Sequence, residues 1–473
     1  MKPRADTVDA EQGIDAPFSP WLTKADSTHS PAECPLSRTL VTFLHVARPH
    51  PTILPPPFQV ANYDFGDQRL RTSELCGIAL LDFLTARGEG PMRLLILGTP
   101  GSSWASMVAF VLGPERREVL AELHTQCAAV AVTTADLEPW LAPVTQALRD
   151  RTRCETLDVA LRLTGYASDD GGQREMIGQI AEHVDSGGRI VVDATHSLRH
   201  LPLIGVFSAM TLRRLKSVTL DGVYYGVLER SAPDASGVKR TPVWRLDGLT
   251  AIAEWVAALS AFDKDGDYGV FAPLLVDAGF DEKAANNLAD AAFNEMIGNF
   301  GSARERLLSF RRAFNPAALR GAARLFGQEL IARTAWAGAT TGLLDRQRRL
   351  AWAALKRGDA VRAATWGFEA FVTELTLRDD CDALDGDARD KARKRYVRRE
   401  EYNTVRNAYN RLCIMRNQIA HIDFQMDSDD PVRNEVLRTM LKRDSCLRAL
   451  GSYLEALIPL EPSEPAAVGG QIA

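Results

Sequence analysis

No apolar run in this 473-residue chain approaches the roughly 18 residues that a membrane-spanning helix needs. A secretory start is missing as well. Asp6, Asp9 and Glu11 stand where a signal peptide carries basic residues and then an apolar stretch, so a cytoplasmic protein is expected. Cysteines are few and scattered: Cys34, Cys76, Cys127, Cys154, Cys381, Cys413 and Cys446 form no CxxC and no Cys/His cluster. That spacing suggests neither a zinc site nor a disulfide framework, and the residues read as reduced, mostly buried thiols. Positive charge is not in excess either. The net charge of -5 argues against wholesale coating of nucleic acid, so any RNA contact must be local.

What is present is enough apolar material for two cores, with 46% hydrophobic and 25% charged residues over a length that usually divides into more than one domain. Residues up to about Leu36 mix Pro, Ser, Asp and Thr without periodicity, the composition of a mobile leader over 1–37. From Leu40 the pattern predicts strands at Leu40–Leu44, Arg93–Leu97, Ala128–Val132, Ile190–Val192 and Val218–Val227. It predicts helices over Arg71–Leu84, Val119–Leu123, Leu137–Leu148, Leu203–Leu215 and Ile252–Leu259. Strand and helix in alternation imply an α/β domain, 38–262, with a mostly parallel sheet covered on both faces. Pro49 to Pro57 reads as a long loop leaving the first strand, either a surface excursion or a lid over a ligand. After Trp244 strand signals nearly vanish. Phe310, Phe314, Leu330, Leu350, Phe368 and Phe371 recur at helical spacings, which predicts an all-α bundle over 263–460. Asp263-Lys264-Asp265-Gly266-Asp267 marks the boundary, and a tail follows over 461–473.

In the second half Tyr402, Val405, Tyr409, Leu412, Met415 and Ile419 make one apolar stripe of a helix that ends in Arg416-Asn417-Gln418-Ile419-Ala420-His421. A basic run precedes it: Arg389, Lys391, Arg393, Lys394, Arg395, Arg398 and Arg399, then Arg406 and Arg411. Such a run can hold phosphates, while Tyr396, Tyr402 and Tyr409 either stack on bases or belong to the core. His titrates near neutrality and Arg keeps its charge, so His421 can move the proton of a ribose 2'-hydroxyl attack while Arg416 braces the phosphorane. Asn417 adjoins the Arg and can hold it or the His in place. This chemistry needs no metal. Five residues on a regular helix mean about 140° of rotation and roughly 7.5 Å of rise, so Arg416 and His421 of one chain diverge. A symmetric dimer that joins two such helix ends would assemble a shared site. A solvated helix face carrying one surface His is the plain alternative.

The spacing Arg416-Asn417-x-x-x-His421 resembles the R-N-x-x-x-H motif of HEPN ribonucleases. That likeness implies a metal-independent endoribonuclease acting as a dimer, with Arg416 and His421 catalytic.

In the first half, Ile190-Val191-Val192-Asp193-Ala194-Thr195-His196-Ser197-Leu198-Arg199 is a buried strand running into a polar turn and a helix. Ligands of open α/β sheets collect beyond the carboxyl ends of strands, which makes Thr195, His196, Ser197 and Arg199 candidates for phosphates or nucleobase edges. A second such end is Gly98-Thr99-Pro100-Gly101-Ser102-Ser103-Trp104. There glycines allow backbone approach and hydroxyls can donate, but the spacing is neither a P-loop nor GxGxxG. Helix capping by Ser197 or Ser103, with His196 satisfied by backbone, accounts for either turn equally well.

Asp193-Ala194-Thr195-His196-Ser197 resembles the DxTHG motif of CRISPR-associated proteins, and Gly98-Thr99 with Ser103-Trp104 is similar to a second stretch of the same group. With the HEPN-like half, the likeness spans most of Leu40 to Leu457 in the domain order of the CARF-HEPN ribonucleases of type III CRISPR systems. It implies a Rossmann-like, CARF-like sensor that binds cyclic oligoadenylate through Gly98, Thr99, Ser102, Ser103, Thr195, His196, Ser197 and Arg199. It also implies a homodimer, or a higher even oligomer, that cuts single-stranded RNA. Two departures stand out: Ser197 replaces the motif's glycine, and His45-Val46-Ala47 follows the first strand where a glycine-rich turn is usual. Two rival readings remain open at this point. In one the sensor degrades its own cyclic ligand; in the other a ligand-controlled scaffold binds RNA without cutting it.

Overall fold

The computed structural model describes residues 37–46, 60–89, 93–116, 118–235, 237–338, 342–398, 403–421, 424–426 and 429–460. Residues 1–36 of the expected leader, the Pro49 to Pro57 loop and the tail lie outside them. The chain divides into two compact units, Met1–Leu246 and Asp247–Ala473.

The first unit runs β1 (Arg38–Phe43), β2 (Ala61–Asp64), β3 (Leu70–Ser73), α1 (Cys76–Ala86), β4 (Arg93–Gly98), α2 (Trp104–Leu112), α3 (Ala121–Ala128) and α4 (Thr134–Thr152). It continues through β5 (Asp158–Leu163), α5 (Asp170–Glu182), β6 (Arg189–Asp193), α6 (His200–Leu215), β7 (Thr219–Gly226), β8 (Ala232–Pro233) and β9 (Lys239–Arg245). The sheet order is β3-β2-β9-β7-β6-β1-β4-β5, with β8 on β9. The central pairs β4/β5, β1/β4, β1/β6 and β6/β7 are parallel, while β7/β9, β8/β9 and β2/β3 are antiparallel. Alternation along the strands builds both faces. Leu40, Leu94, Ile96 and Val191 enter a core with helices α1 to α4, and Val41, Leu95, Leu97 and Val192 enter another with α5 and α6, as the two-residue period of a strand requires.

Several elements differ from the sequence-based expectation. Ala128–Val132 is no strand: Ala128 ends α3 and Val130 turns at φ 56°. The place beside β4 belongs to β5, whose full six-residue register with β4 a short run next to a helix end could not match. Arg71–Ser73, expected as the start of a helix, belongs with Leu70 to a strand that pairs antiparallel with β2. The hairpin turns at Gly66, φ 82°, and Arg71 is clamped by Asp67 at 2.7 Å. Of the six described cysteines all are free, but only Cys76, Cys127 and Cys446 are buried, fewer than expected.

The second unit is helical: α7 (Asp247–Asp265), α8 (Ala272–Asp277), α9 (Glu282–Met296), α10 (Phe300–Ala313), α11 (Ala323–Arg333), α12 (Leu343–Arg357), α13 (Ala360–Arg378), α14 (Gly386–Arg398), α15 (Thr404–His421), α16 (Pro431–Met440) and α17 (Arg443–Leu457). The division falls between Leu246 and Asp247, upstream of Asp263. The physical reason is Trp255 of α7, which stacks on Phe271 and Phe326 at 5.6 and 5.3 Å within the second unit's core. A separate core is built on α12, α13, α15 and α17. Asp359 and Asp430 start α13 and α16 by accepting the backbone N–H of Arg362 and Arg433 at 2.9 and 2.8 Å, which satisfies donors that a helix start leaves open. Among the described residues no helix is long and apolar enough to cross a membrane.

Candidate functional site

Parallel strands β6, β1 and β4 lie side by side and deliver three turns to one edge of the first unit's sheet. The chain moves outward from β1 to β4 and β5, then returns to the other side of β1 with β6, so this edge is a topological switch point. The turns touch one another. Ser103 donates from both N and Oγ to the His45 carbonyl at 3.0 and 3.1 Å, Val46 bridges Ser102, and the His45 and His196 rings lie 5.6 Å apart.

The β6 turn is held from beneath. Asp193 is fully buried and accepts from Thr42 Oγ1 at 2.7 Å and from Thr195 N at 3.0 Å. Thr195 Oγ1 accepts from Gly226 N at 2.8 Å. His196 is buried, and its Nε2 accepts the Cys76 backbone N–H at 3.1 Å. It therefore caps α1, whose N-cap residue Leu75 has no side-chain hydrogen bond to offer. The Tyr63 hydroxyl sits 3.5 Å from the same nitrogen. Burial lowers the His196 pKa against the pull of Asp193, while burial pushes the Cys76 thiol and the Tyr63 phenol well up. Asp193 is thus surrounded by groups kept neutral. Ser197 holds φ 98°, a conformation that favours the glycine it replaces. Arg199 is exposed, and Ser197 and Thr195 are half-buried.

In the β4 turn the hydroxyls are engaged internally. Ser102 Oγ accepts from Thr99 N at 2.9 Å, lies 3.2 Å from Thr99 Oγ1 and donates to the Leu44 carbonyl at 3.2 Å. Trp104 is buried and donates from Nε1 to the Thr99 carbonyl at 3.0 Å. A Cβ on Gly98 would fall 2.7 Å from the Trp104 ring, so this glycine makes room for the indole. Capping by Ser103 is absent.

In the second unit α15 presents Tyr409, Leu412 and Met415 to the core, with Val405 and Ile419 partly buried beside them; Tyr402 lies outside the described residues. Tyr396 and Tyr409 pack edge to face at 5.2 Å, and Tyr409 also meets Phe368 and Phe371, which makes both tyrosines core residues. The Arg416 guanidinium lies over the Phe368 ring at 5.4 Å and donates to Asn417 Oδ1 at 3.1 Å. Asn417 Nδ2 reaches Cys413 Sγ at 3.7 Å. The Arg is thus aimed by a ring below and an amide beside it, as a planar guanidinium permits. His421 is the last residue of the helix and exposed.

The basic run is largely paired within the unit. Arg389 meets Glu369, Thr373 Oγ1 and the Ala383 carbonyl at 2.6, 2.7 and 3.0 Å. Arg393 and Lys394 share Asp390, Arg395 pairs with Asp379 and Arg411 with Glu435. Arg406 donates to the Val397 carbonyl at 2.7 Å. These contacts tie α14 and α15 to their neighbours and leave less of the run for phosphate than its sequence promised.

No family model matches the chain. Over 96 residues, 20% of this chain, it is 30% identical to a CRISPR-associated protein of Methanocaldococcus jannaschii; the aligned stretch spans 14% of that relative's length. The CRISPR-associated likeness read from Asp193–Ser197 is in line with this match. Among solved structures, Csm6 of Enterococcus italicus bound to cyclic hexa-2'-fluoro-hexa-dAMP covers 90% of this chain and 95% of its own at 12% identity, with a TM-score of 0.31.

Thr42 and Tyr63 around the CRISPR-type motif went unnamed at the sequence level, and Cys76 was read only as a buried thiol. Thr42, a lone hydroxyl inside the apolar run Leu40–Leu44, was the one visible signal. Tyr63 sits on a strand whose four residues are too few to register as a period.

Proposed function

We propose that this chain is a cyclic-oligoadenylate-activated, metal-independent endoribonuclease of type III CRISPR defence that acts in the cytoplasm. On this reading the first unit is a CARF-like sensor and the second a HEPN-like ribonuclease, working as a homodimer on single-stranded RNA. The observation that carries the proposal is the last turn of α15, where Arg416 is held by Phe368 and Asn417 and the exposed His421 follows at the R-N-x-x-x-H spacing. Arg416 supplies fixed charge to the phosphorane and His421 moves the proton. The two side chains point about 140° apart around the helix, so a second copy must complete the site. Ligand bound at Thr195, Ser197 and Arg199 favours one arrangement of the pair and so sets the distance between the two helix ends.

Labelled RNA incubated with and without cyclic tetra- or hexa-adenylate, in the presence of a chelator, tests this reading. Activated cutting is expected, and His421→Ala should reduce it by about 100-fold or more, the contribution of a general acid or base. Unchanged cutting by fully activated His421→Ala refutes the assignment. The rival in which the sensor degrades its ligand is disfavoured by the engagement of His196 Nε2 with Cys76 N and of Thr195 Oγ1 with Gly226 N. A scaffold without cleavage would leave His421→Ala silent.

A further inference from the structure

At the other edge of the first unit's sheet, where the parallel strands begin, a cavity of about 350 Å³ is lined by Arg38 of β1, Arg189 of β6, Asp221 of β7, Arg245 of β9 and, just past α1, Arg87 and Glu89. The register between β6 and β7 shifts here: Ile190 faces Leu220, but Val191 faces Gly222. Asp221 is therefore the extra residue of a bulge, turned out of the ladder, a device that re-aims a side chain. Its two carboxylate oxygens are taken by different arginines, Oδ2 by Arg38 Nε at 2.8 Å and Oδ1 by Arg189 Nη2 at 2.7 Å, while Arg245 Nη2 donates to its carbonyl. A Cβ on Gly222 would sit 2.9 Å from Arg245 Nε and 3.0 Å from the Tyr224 ring, so glycine keeps this corner open. Arg87 pairs with Glu89 at 3.2 Å on the rim.

Three guanidiniums, Arg38, Arg87 and Arg189, face two carboxylates, which leaves an excess of one positive charge in a site whose deepest members, Arg38 and Asp221, have side chains only 8% and 12% exposed. Cations gathered at such a place repel one another unless an anion joins them. Guanidinium forks match phosphate oxygens in pairs. We propose that this cavity binds a phosphate-bearing anion of the size of pyrophosphate, the polyphosphate end of a nucleotide included. It would be a second anion site, distinct from the turns at the carboxyl ends of β6, β1 and β4.

Titration calorimetry of the full chain at low ionic strength, with pyrophosphate, inorganic phosphate and ATP, tests the proposal. Saturable binding is expected, with pyrophosphate tighter than phosphate. ATP binding more tightly than pyrophosphate would identify a nucleotide as the source, and equal affinity the free anion. Arg87→Ala and Arg189→Gln should each weaken binding about tenfold, the loss of one charge-assisted contact, whereas Arg174→Ala on α5 should leave it unchanged. If Arg189→Gln disturbs folding by releasing Asp221, Arg87→Ala decides alone, because its side chain is 53% exposed. No saturable heat with any of the anions, or wild-type affinity in Arg87→Ala, overturns the proposal and leaves an ion network that only pins the strand starts.

Discussion

Replacing Ser197 by glycine should stabilise the first unit. Ser197 holds φ 98°, beyond the narrow left-handed region that residues with a Cβ tolerate. Its position leaves no alternative: Thr195 is pinned from both sides by Asp193 and Gly226, and His196 is pinned on Cys76, so the chain must reverse at the next residue. Backbone of this hand costs an L-residue about 1–2 kcal/mol. Glycine removes that cost but gives back about 0.5–1 kcal/mol through the greater freedom of its unfolded chain. The net gain is then about 0.5–1 kcal/mol, a rise in Tm of about 1–4 °C for a body of roughly 200 residues. Among the described residues the Ser197 hydroxyl makes no hydrogen bond, so Ser197→Ala, which keeps the Cβ, should stay within about 0.5 kcal/mol of wild type. Differential scanning fluorimetry of the three proteins reads the comparison. A glycine variant that melts lower than wild type, or an alanine variant that gains as much as glycine, refutes the backbone argument.

The two units should respond to pH in opposite directions. Glu295 is buried against Tyr268, which donates to it at 3.0 Å, and burial raises its pKa to about 7. The folded unit therefore keeps a proton that the unfolded chain releases above about pH 4.5, and stability should fall by up to about 3 kcal/mol as pH rises from about 4.5 to 7. Glu295→Gln should flatten that slope in thermal melts across the range, and an unchanged slope would show that other groups cause it. His196, lowered by burial, works the other way: the unfolded chain protonates first, so the first unit should weaken as pH drops below about 6.5, and His196→Asn should lessen the acid sensitivity. Arg389→Ala should destabilise the second unit by about 1–2 kcal/mol, because it removes the charge-assisted contact with the half-exposed Glu369 and the bonds to Thr373 and Ala383. A loss of RNA affinity at full stability would instead place Arg389 among phosphate ligands.

The central strands and the long helices of both units were legible because buried elements repeat: Leu40 to Phe43 and Leu94 to Leu97 alternate between two cores, and the aromatic spacings of α10 and α13 mark one helix face each. The edge of the sheet was not legible. β2 and β3 have four residues each and β8 two, so no period can develop. β2 is placed by its pairing with β9 and by Arg240 reaching Asp64 at 3.6 Å, long-range facts that no local window contains. Likewise Ala128–Val132 has the composition of a strand, but β5 fills the only place beside β4.

The two motifs carry different amounts of information. At Asp193 to Ser197 the sequence names the residues, yet what they bond to, Thr42, Cys76 and Gly226, comes from three other elements. Much of the polar character that suggests a ligand is needed to hold the turn, so a phosphate or base arriving there meets mainly Arg199, Ser197 and backbone. At Arg416 to His421 the reverse applies: both neighbours that aim the Arg, Asn417 and the Phe368 ring, leave its outward edge for a substrate, and the His has no burial to defend. A site that lies half on one helix end and requires its counterpart from another copy leaves only half a signature in any single chain. On the proposed reading its sequence pattern is therefore short, and a second copy, more than any further residue, would supply the missing specificity.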